Sequence, residues 1–409
     1  MQDNEKKPAL RFKDFTDPWE QRKLGDITVE LSEYATQELG LPLLTSSRSG
    51  LMYQDEYRDS RTTKSTETLF SVVPVGTCTY RHMSDDDVFH MNINTLEKGL
   101  VSREYPVFEA SKGNNLEFLV QHINSSEEFK AFCAEQKKGG TRTRLYYNTL
   151  CQFTVRVPAL KEQAQISQCL KKLDTLITLH QRKYEKLVNI KKSMLDKMFP
   201  KNGASVPEIR FKGFTDPWEQ RKLGDAFERV VRKNTNNESR LPLTISAQDG
   251  LVDQITYFNN RVASRDVSNY YLVYNGEFAY NKSTSDGYPF GAVKRLDWYE
   301  KGVLSTLYIV FALKHPEKDD SDFMTVFYDT DRWHRGVAER AAEGARNHGL
   351  LNISADDFFD IDTTMPEDKV EQEKIGRLLK KLDTLITLHQ RKLEKLQNIK
   401  KSCLEKMFV

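Results

Sequence analysis

The sequence predicts an α+β protein: two mixed α/β modules separated by two long antiparallel helices that form a coiled coil, with a pseudo-twofold internal repeat. Three observations predict this fold class. Two segments occur twice along the chain, and the second of them carries a heptad pattern of apolar residues. The regions between the repeats alternate short β-branched and aromatic runs with turn residues, as strands do.

The repeated segments are nearly identical. Arg11 to Asp26 returns as Arg210 to Asp225 with one difference in sixteen positions. Leu170 to Phe199 returns as Leu379 to Phe408 with four differences in thirty positions. Because the sequences between the copies differ, this pattern indicates a duplicated frame that carries two diverged modules.

The repeats divide the chain of 409 residues, a length typical of two to three domains, into five segments. We expect a first module at residues 1–158, a first helix at 159–199, a linker at 200–206, a second module at 207–366 and a second helix at 367–409. Pro158 and Pro366 precede the helices, where a proline is tolerated in the first turn, and Pro200 follows the first helix.

The two helical segments predict a coiled-coil seam, because apolar residues recur at alternating steps of three and four. The expected seam contains Leu170, Leu173, Ile177 and Leu187 in the first helix and Leu379, Leu382, Ile386 and Leu396 in the second. A helix of about 40 residues is about 60 Å long, too long to bury its apolar stripe on one small core. We therefore expect the helices to pack on each other, antiparallel because the linker is short; two separate surface helices are the alternative.

Polar residues interrupt this seam at equivalent places. His180 and His389 are interpreted as seam residues rather than ligands, and Lys191 and Lys400 as residues that fix the register at some cost in stability.

Each module is expected to mix strands and helices. Strands are predicted within Glu67–Val75, Asn148–Val157, Tyr270–Tyr280 and Val303–Leu313, and amphipathic helices within Ser126–Lys138 and Asp329–Ala342. The modules also share short strings: LPLLTSSRSGL at 41–51 parallels LPLTISAQDGL at 241–251, KGLVS at 98–102 parallels KGVLS at 301–305, and glycine-rich loops occupy 139–145 and 344–350. The modules are therefore interpreted as diverged relatives.

Composition restricts the class of protein. No apolar run approaches the roughly 20 residues of a membrane span, and the first ten residues lack the apolar core of a signal peptide. Five scattered cysteines without C-x-x-C spacing argue against a disulfide framework or a zinc site, so we expect a cytoplasmic protein. A formal net charge of +2 means that any nucleic-acid binding must use local patches or partner subunits.

In its repeated segments and their order, the chain closely resembles the specificity (S) subunit of type I DNA restriction-modification systems over nearly its whole length. The resemblance depends on the order of module, long helix, module, long helix, on the repeated FTDPWEQRKLGD string, on EQAQI and EQEKI at the helix starts, and on KLDTLITLHQRK within the helices. It implies that each module is a target recognition domain that reads one half of a split target in double-stranded DNA.

The same resemblance implies the partners. Two methyltransferase (M) subunits would dock on the helices, and restriction/motor (R) subunits would join them, with no membrane involved. This chain would hold no cofactor: S-adenosylmethionine would bind the methyltransferase, and ATP with magnesium the motor subunit. Because the modules differ, the two half-sites are expected to differ, so the target would not be a palindrome.

Side chains that can bind base edges or phosphates are concentrated in a few loops of each module. The candidates in the first module are Ser46, Ser47, Arg48, Tyr80, Arg81, His82, Arg103, Tyr105, Arg142 and Arg144. Those in the second are Ser246, Gln248, Tyr280, Asn281, Lys282, Ser283, Arg346, Asn347 and His348. For each of them alone, a solvated loop or a turn-capping role is the alternative.

Motifs for chemistry of the chain's own are not found. Asp17, Pro18 and Trp19, repeated at Asp216, Pro217 and Trp218, have one proline and no glycine-rich loop, so we interpret them as helix starts rather than a methyltransferase motif. Glu135 and Lys137 have nuclease-like spacing but fall in a charged helix, and the P-loop pattern is absent. No catalytic or metal-binding residue is predicted; a methyltransferase or nuclease with its own active site, and a coiled-coil scaffold that binds only protein, are the alternative functions.

Overall fold

The structure, a computed structural model, describes residues 7–57, 68–137, 139, 141–201, 203–246, 249–285, 287–341 and 349–408. The chain forms two compact units, residues 1–181 with 391–409, and residues 182–390. These units differ from the predicted domains. Each unit contains one module, the first part of one long helix and the last part of the other long helix.

Unit 1 contains thirteen strands among its described residues. They are β1 (Glu20–Lys23), β2 (Thr28–Glu30), β3 (Tyr34–Ala35), β4 (Leu44–Ser47), β5 (Gly50–Tyr53), β6 (Phe70–Val73), β7 (Cys78–Thr79), β8 (Met83–Ser84), β9 (Asn92–Ile93), β10 (Gly99–Ser102), β11 (Val107–Ala110), β12 (Thr143–Arg144) and β13 (Thr154–Val157). Its helices are α1 (Leu24–Ile27), α2 (Gln54–Tyr57), α3 (Leu116–Ser125), α4 (Glu127–Glu135), α5 (Tyr147–Leu150) and the first part of α6 (Leu160–Lys197).

Unit 2 repeats this plan with variations. Its strands are β14 (Glu219–Lys222), β15 (Phe227–Arg229), β16 (Leu243–Ser246), β17 (Gly250–Asp253), β18 (Tyr271–Tyr274), β19 (Phe278–Asn281), β20 (Ala292–Arg295), β21 (Lys301–Leu304), β22 (Ile309–Leu313) and β23 (Asp362–Met365). Its helices are α7 (Leu223–Ala226), α8 (Gln254–Phe258), α9 (Ser321–Phe327), α10 (His334–Arg340), α11 (Ala355–Phe359) and the first part of α12 (Lys369–Lys406).

The sheets are small and antiparallel, and they match between the units. The largest has the order β2-β11-β7-β9 in unit 1 and β15-β22-β19-β20 in unit 2. The hairpin β4–β5 corresponds to β16–β17, and the ribbon β1–β13, which opens each repeat, corresponds to β14–β23. The two modules therefore share a fold, as their short common strings predict.

The repeated FTDPWEQRKLGD string begins a strand and not a helix, so our interpretation of Asp17 and Pro18, and of Asp216 and Pro217, as a helix start is wrong. Glu20–Lys23 pairs with Thr154–Val157 instead. The preceding tryptophan is buried in the core and anchors this strand. A proline in an extended segment just before a strand has the same fixed φ that favours a first helical turn, so the local sequence did not distinguish the two.

Two other predicted elements are shorter than expected. Asn148–Val157 is divided, because residues 147–150 form α5 and only Thr154–Val157 is a strand. Within Asp329–Ala342 only His334–Arg340 is helical. Both segments alternate apolar and polar residues over too few positions for the period to separate helix from strand.

A matching ion pair fastens each long helix to the repeated string. Arg11 binds Glu162 through two hydrogen bonds of 2.7 and 2.8 Å, and Arg210 binds Glu371 through two of the same lengths. Both glutamates are fully buried. The same joint between the repeated string and the start of the long helix is therefore present in each unit.

The next residue of each helix ties it to the module. Gln163 accepts a hydrogen bond from the backbone N–H of Asn115 and donates one to the carbonyl of Pro158. Gln372 does the same with Asp320 and Pro366. Asn115 and Asp320 are the N-caps of α3 and α9, so the joint also fixes the start of a module helix.

The helix segments are antiparallel in both units, which confirms the predicted fold class. In unit 1 the carbonyl of Lys406, at the end of α12, accepts a hydrogen bond from Leu10, beside the joint that holds the start of α6. Further along the same pair, Asp174 contacts Lys400 at 2.5 Å. In unit 2 Asp383 contacts Lys191 at 2.6 Å, which is the equivalent pair with the helices exchanged.

The end of each long helix packs into a module core. Phe408 lies 5.5 Å from Phe118, and Phe118 lies 5.7 Å from Trp19, measured between ring centroids. In unit 2 Phe199 contacts Phe323 and Trp218 in the same way, at 5.6 and 5.8 Å. Every expected seam residue is buried or half-buried.

Candidate nucleic-acid interface

The tip of the β4–β5 hairpin and the loop after β8 enclose a polar cleft of about 400 Å³ in unit 1. The cleft is lined by Ser46, Ser47, Arg48, Ser49, Tyr57, Arg81, Met83, Ser84, Asp85, Asp86, Val88, Phe89 and His90. Four of these residues are among the ten sequence candidates of the first module. The structure therefore brings together side chains that are separated along the chain by more than thirty positions.

The position of the hairpin depends on a glycine. A Cβ atom at Gly99 would lie 2.6 Å from the Leu44 side chain, and an equivalent clash with Leu243 would occur at Gly302. Only glycine allows β10 and β21 to approach the hairpins this closely. The glycine of the repeated KG string therefore determines the position of the hairpin in each module.

The first glycine-rich loop joins the same cleft. Thr143 pairs with Ser84 across β12 and β8, and the N–H of Leu145 donates to the carbonyl of His82 at 2.8 Å. Arg142 contacts Asp85 at 2.7 Å. Arg144 is exposed on the same short strand. Arg81, Arg142 and Arg144 are consequently neighbours on one exposed face.

Unit 2 repeats this contact at the end of β19. Ser283 pairs with Leu350, the N–H of Thr284 donates to the carbonyl of Gly349 at 2.6 Å, and Lys282 donates to the carbonyl of Ile353. Asn281, Lys282 and Ser283 therefore lie beside the second glycine-rich loop. Gln248, Arg346, Asn347 and His348 lie outside the described residues.

Tyr80 and Tyr280 are wrong as DNA-contact candidates, because both are fully buried in the cores of their units. Burial raises the pKa of each phenol well above its usual range. Tyr80 packs edge-on against Phe108, and Tyr280 stacks on Phe358. Each is followed in the chain by a more exposed polar residue, Arg81 or Asn281, so the sequence alone did not separate them.

Three other candidates have structural partners that limit their reach. Ser46 is buried and accepts a hydrogen bond from Asn92, and Ser47 donates to Gly50 across the hairpin turn. Ser246 is also buried and donates to Asp249 in the matching hairpin. These hydroxyls shape the hairpin tips.

His82 is buried and stacks on Tyr146 at 5.7 Å. Burial is the main cause that lowers the pKa of its imidazole, and Arg144 and Arg81 lower it further, so the ring is neutral at pH 7. His82 is therefore a packing residue beneath the arginines.

A second cleft of about 420 Å³ in unit 1 contains Arg103 and Tyr105. Its wall is aromatic, with Tyr34 and Tyr146 half or nearly half exposed, and the Arg103 guanidinium lies 5.7 Å from the centroid of the Tyr34 ring. An aromatic wall with a cation suits a base or sugar ring. Sequence reasoning missed Tyr34 and Tyr146, because exposed tyrosines outside a motif give no signal.

Tyr57 was also missed as a site residue. Tyr57 is exposed in α2, directly after the hairpin, as are Tyr257 and Phe258 in α8 of unit 2. The matching position of an aromatic side chain after each hairpin could have been seen by aligning the two halves.

The long helices carry exposed leucines in their identical KLDTLITLHQRK strings. Leu176 and Leu179 are 41% and 45% exposed in unit 1, and Leu388 is 58% exposed in unit 2. Such residues on a helix face that points away from the seam are typical of a protein-binding surface.

The described residues contain no group of three or more His, Cys, Asp or Glu side chains suited to a metal ion. The five cysteines are free thiols, and burial raises the pKa of Cys133 to about 12, which keeps that thiol protonated. No helix in the described part of the chain combines the length and apolar character needed to cross a membrane.

Comparison with known proteins gives two kinds of similarity. A family model for the type I restriction modification DNA specificity domain matches residues 90–189. The S subunit of a type I restriction-modification system from M. genitalium is similar with a TM-score of 0.59 at 13% identity, covering 98% of this chain and 99% of that chain.

Two further solved chains are similar at lower scores. The HsdS subunit from Thermoanaerobacter tengcongensis has a TM-score of 0.44 at 14% identity, covering 95% of this chain and 96% of its own. A chain from work on complex assembly and conformational transition of the type I R-M system has a TM-score of 0.41 at 14% identity, with coverage of 96% and 99%. The family model supports the resemblance over residues 90–189, and the M. genitalium structure confirms the fold class predicted from the sequence.

Proposed function

We propose that this chain, which carries a type I restriction modification DNA specificity domain and has the fold of an S subunit, is the sequence-reading subunit of a type I restriction-modification complex. It reads a bipartite, asymmetric DNA target with one module per half-site and docks two methyltransferase subunits. It catalyses no reaction itself. The observation that carries the proposal is the contrast between a joint repeated almost atom for atom and contact loops that differ.

The joint is the same in both units, down to the two hydrogen bonds of each arginine–glutamate pair. The loops on that joint present different groups. Unit 1 offers arginines at positions 48, 81 and 142, and unit 2 offers Asn281, Lys282 and Ser283. An arginine favours guanine and an asparagine favours adenine in the major groove, so the two modules would read different bases.

The split target follows from duplication of the reader. Half-sites on one face of B-DNA recur about every 34 to 36 Å, and a helix of 38 residues is about 57 Å long. Two readers on helices of this length can read two short sequences around an unread gap. Different loops make the two sequences unlike.

Two copies of one partner are supported by the identical helix strings. Leu179 and its equivalent Leu388 are both exposed, and Leu385, the equivalent of the exposed Leu176, is half-buried, so a protein that binds one helix face has a similar face to bind on the other. S-adenosylmethionine would then be bound by the methyltransferase, and ATP with magnesium by the restriction/motor subunit.

Reconstitution with a cognate methyltransferase subunit tests the docking. Native mass spectrometry should give two methyltransferases per chain. The variant L176Q/L179Q should lose one methyltransferase, and L385Q/L388Q should lose one as well. The control L39Q/V75Q replaces two exposed apolar residues of the first module and should retain both.

A complex that keeps both methyltransferases in either helix variant would contradict this assignment of the docking faces. Methylation of DNA by the chain alone with S-adenosylmethionine, or cleavage with magnesium alone, would favour an enzyme with its own active site. A complex that shows no salt-dependent affinity for DNA would favour a scaffold that binds only protein.

A further inference from the structure

Three carboxylates in a row, Asp85, Asp86 and Asp87, follow β8; we name them the acidic run, and the first two line the first cleft. Each carboxylate holds a cation from a different segment. Asp85 contacts Arg142 at 2.7 Å, Asp86 contacts Arg48, and Asp87 contacts Lys137 at 3.5 Å. These cations come from the hairpin tip, the glycine-rich loop and the end of α4. The acidic run therefore gathers much of the positive charge of this face.

The acidic run has a fixed conformation. The Ser84 hydroxyl donates to Asp86 at 2.9 Å, and the Thr143 hydroxyl donates to Asp87. Asp87 has a φ of 64°, in the left-handed region that Asp and Asn tolerate better than most side chains. The hydrogen bond from Arg48, with that from Ser84, lowers the pKa of Asp86, so this carboxylate is charged at pH 7.

These ion pairs are weak enough to exchange. The side chains of Arg48, Asp86, Arg142 and Asp85 are each at least half exposed, and exposed pairs of this kind contribute about 0 to 1 kcal/mol. A DNA phosphate accepts the same charge-assisted hydrogen bonds and also releases counterions when it is neutralised. Phosphates can therefore replace the carboxylates as partners of these cations. The negative charge of the carboxylates, however, repels the phosphates and lowers the affinity for DNA.

Building on the proposed function, we infer that the acidic run is an intramolecular competitor for DNA phosphates that sets the specificity of the first module. Without DNA, the acidic run forms ion pairs with Arg48, Lys137 and Arg142. When the DNA makes base contacts as well as phosphate contacts, these three side chains leave the carboxylates and bind phosphates. Non-specific DNA offers phosphates without matching bases, so the competition weakens non-specific binding more than specific binding.

The second module lacks this device over its described residues. After Lys282 the chain continues with the uncharged Ser283, Thr284 and Ser285. We place the competition in the first module, and its removal should leave the contacts of the second module unchanged.

The test is the variant D85N/D86N/D87N in the complex with the methyltransferase subunits. Asparagine keeps the oxygen that accepts from Ser84 and Thr143 and tolerates the backbone of Asp87, so the fold is retained. The matched control E20Q/E33Q/E127Q removes the same charge and breaks three ion pairs of unit 1 outside the cleft. Affinity for a duplex without the target is measured from about 50 to 200 mM salt.

The acidic-run variant should bind the non-target duplex about tenfold more tightly at about 50 mM salt, and the slope of log K against log salt should steepen by about 1 to 3. Affinity for the target should rise less, so the ratio of specific to non-specific affinity falls. Equal changes in the control, or none in the variant, would overturn the inference. A wild-type complex that prefers no split target would overturn the proposed function instead, and the comparison of variants on non-target DNA would still decide the inference.

Discussion

At the scale of single residues, the best-defined feature is the pair of buried arginine–glutamate contacts, each of which joins the start of a long helix to the repeated string of the same unit. Glu162 and Glu371 each have 1% of the side chain exposed, and each is matched by two hydrogen bonds from one guanidinium. A buried carboxylate without its charge partner is costly, so these residues hold the frame that carries the loops.

We predict that Glu162→Gln and Glu371→Gln each lower the free energy of unfolding by about 2 kcal/mol, because each leaves a partly buried guanidinium without a counter-charge. Urea titration measures the loss. Glu405→Gln, which removes an exposed pair with Lys401 at 4.0 Å, should change stability by less than about 0.5 kcal/mol. Losses no larger than that of the control would show that the joint does not stabilise the frame.

The contact loops give a functional prediction for two equivalent residues. Arg81→Ala should relax base discrimination in one half of the target, and Lys282→Ala in the other half, each by about tenfold at the affected position. The measurement is methylation of a library of duplexes randomised across the target. Relaxation of the same half by both variants would contradict the assignment of one module to each half-site.

The sequence predicted the candidate site as a region and not residue by residue. The sequence pointed to Tyr80, Arg81 and His82 together, but the structure buries Tyr80 and His82 and exposes only Arg81. The pairing of Arg48 and Arg142 with the acidic run could not be predicted, because it joins positions far apart in the chain.

At the scale of elements, the long helices were predicted most fully, because a heptad pattern over thirty residues depends only on local periodicity. The short strands were predicted less well. The FTDPWEQRKLGD string begins a strand because residues 154–157 pair with it, and this partner lies far along the chain. Long-range pairing of this kind leaves no periodic trace in four residues.

The two lysines of the helix seam have equal sequence surroundings and different partners. Lys400 contacts Asp174 and is about one-third exposed, whereas Lys191 contacts both Asp383 and Asp329 and is less exposed. Lys294 contacts Asp329 as well. Burial opposes ionisation of Asp329, but the Lys294 and Lys191 charges outweigh it and lower its pKa. Unit 2 therefore has an ion network where unit 1 has one pair.

We predict that Lys191→Met lowers the free energy of unfolding by about 2 kcal/mol, because it leaves carboxylates without a shared cation, and that Lys400→Met costs less than about 1 kcal/mol. Hydrogen exchange measured by mass spectrometry would report the stability of the α9 helix in the Lys191→Met variant. Equal losses in the free energy of unfolding would mean that contacts between the two helices determine the role of these lysines, and that the contact of Lys191 with Asp329 of the module does not.

At the scale of the whole molecule, the sequence established the duplication and hence the fold class, since near-identical segments at matching distances leave few other architectures. It did not establish the composition of the compact units. Those depend on which helix end packs into which core, as Phe199 and Phe408 do, and this is a tertiary property.

A module exchange tests whether the two units work independently. Replacing residues 226–365 with the equivalent segment of a relative should change one half of the target and leave the other unchanged, because Arg210 and Glu371 lie outside that segment. The modified target is identified by sequencing methylated bases. A change in both halves would indicate that the loops of one module influence the bases read by the other.

The central claim is tested most directly by sequencing the methylated bases in DNA exposed to the wild-type chain and its methyltransferase subunits. The account predicts one split motif, with two short unlike half-sites around a gap of unread bases of fixed length. A contiguous motif, or a palindrome with two identical halves, would contradict it.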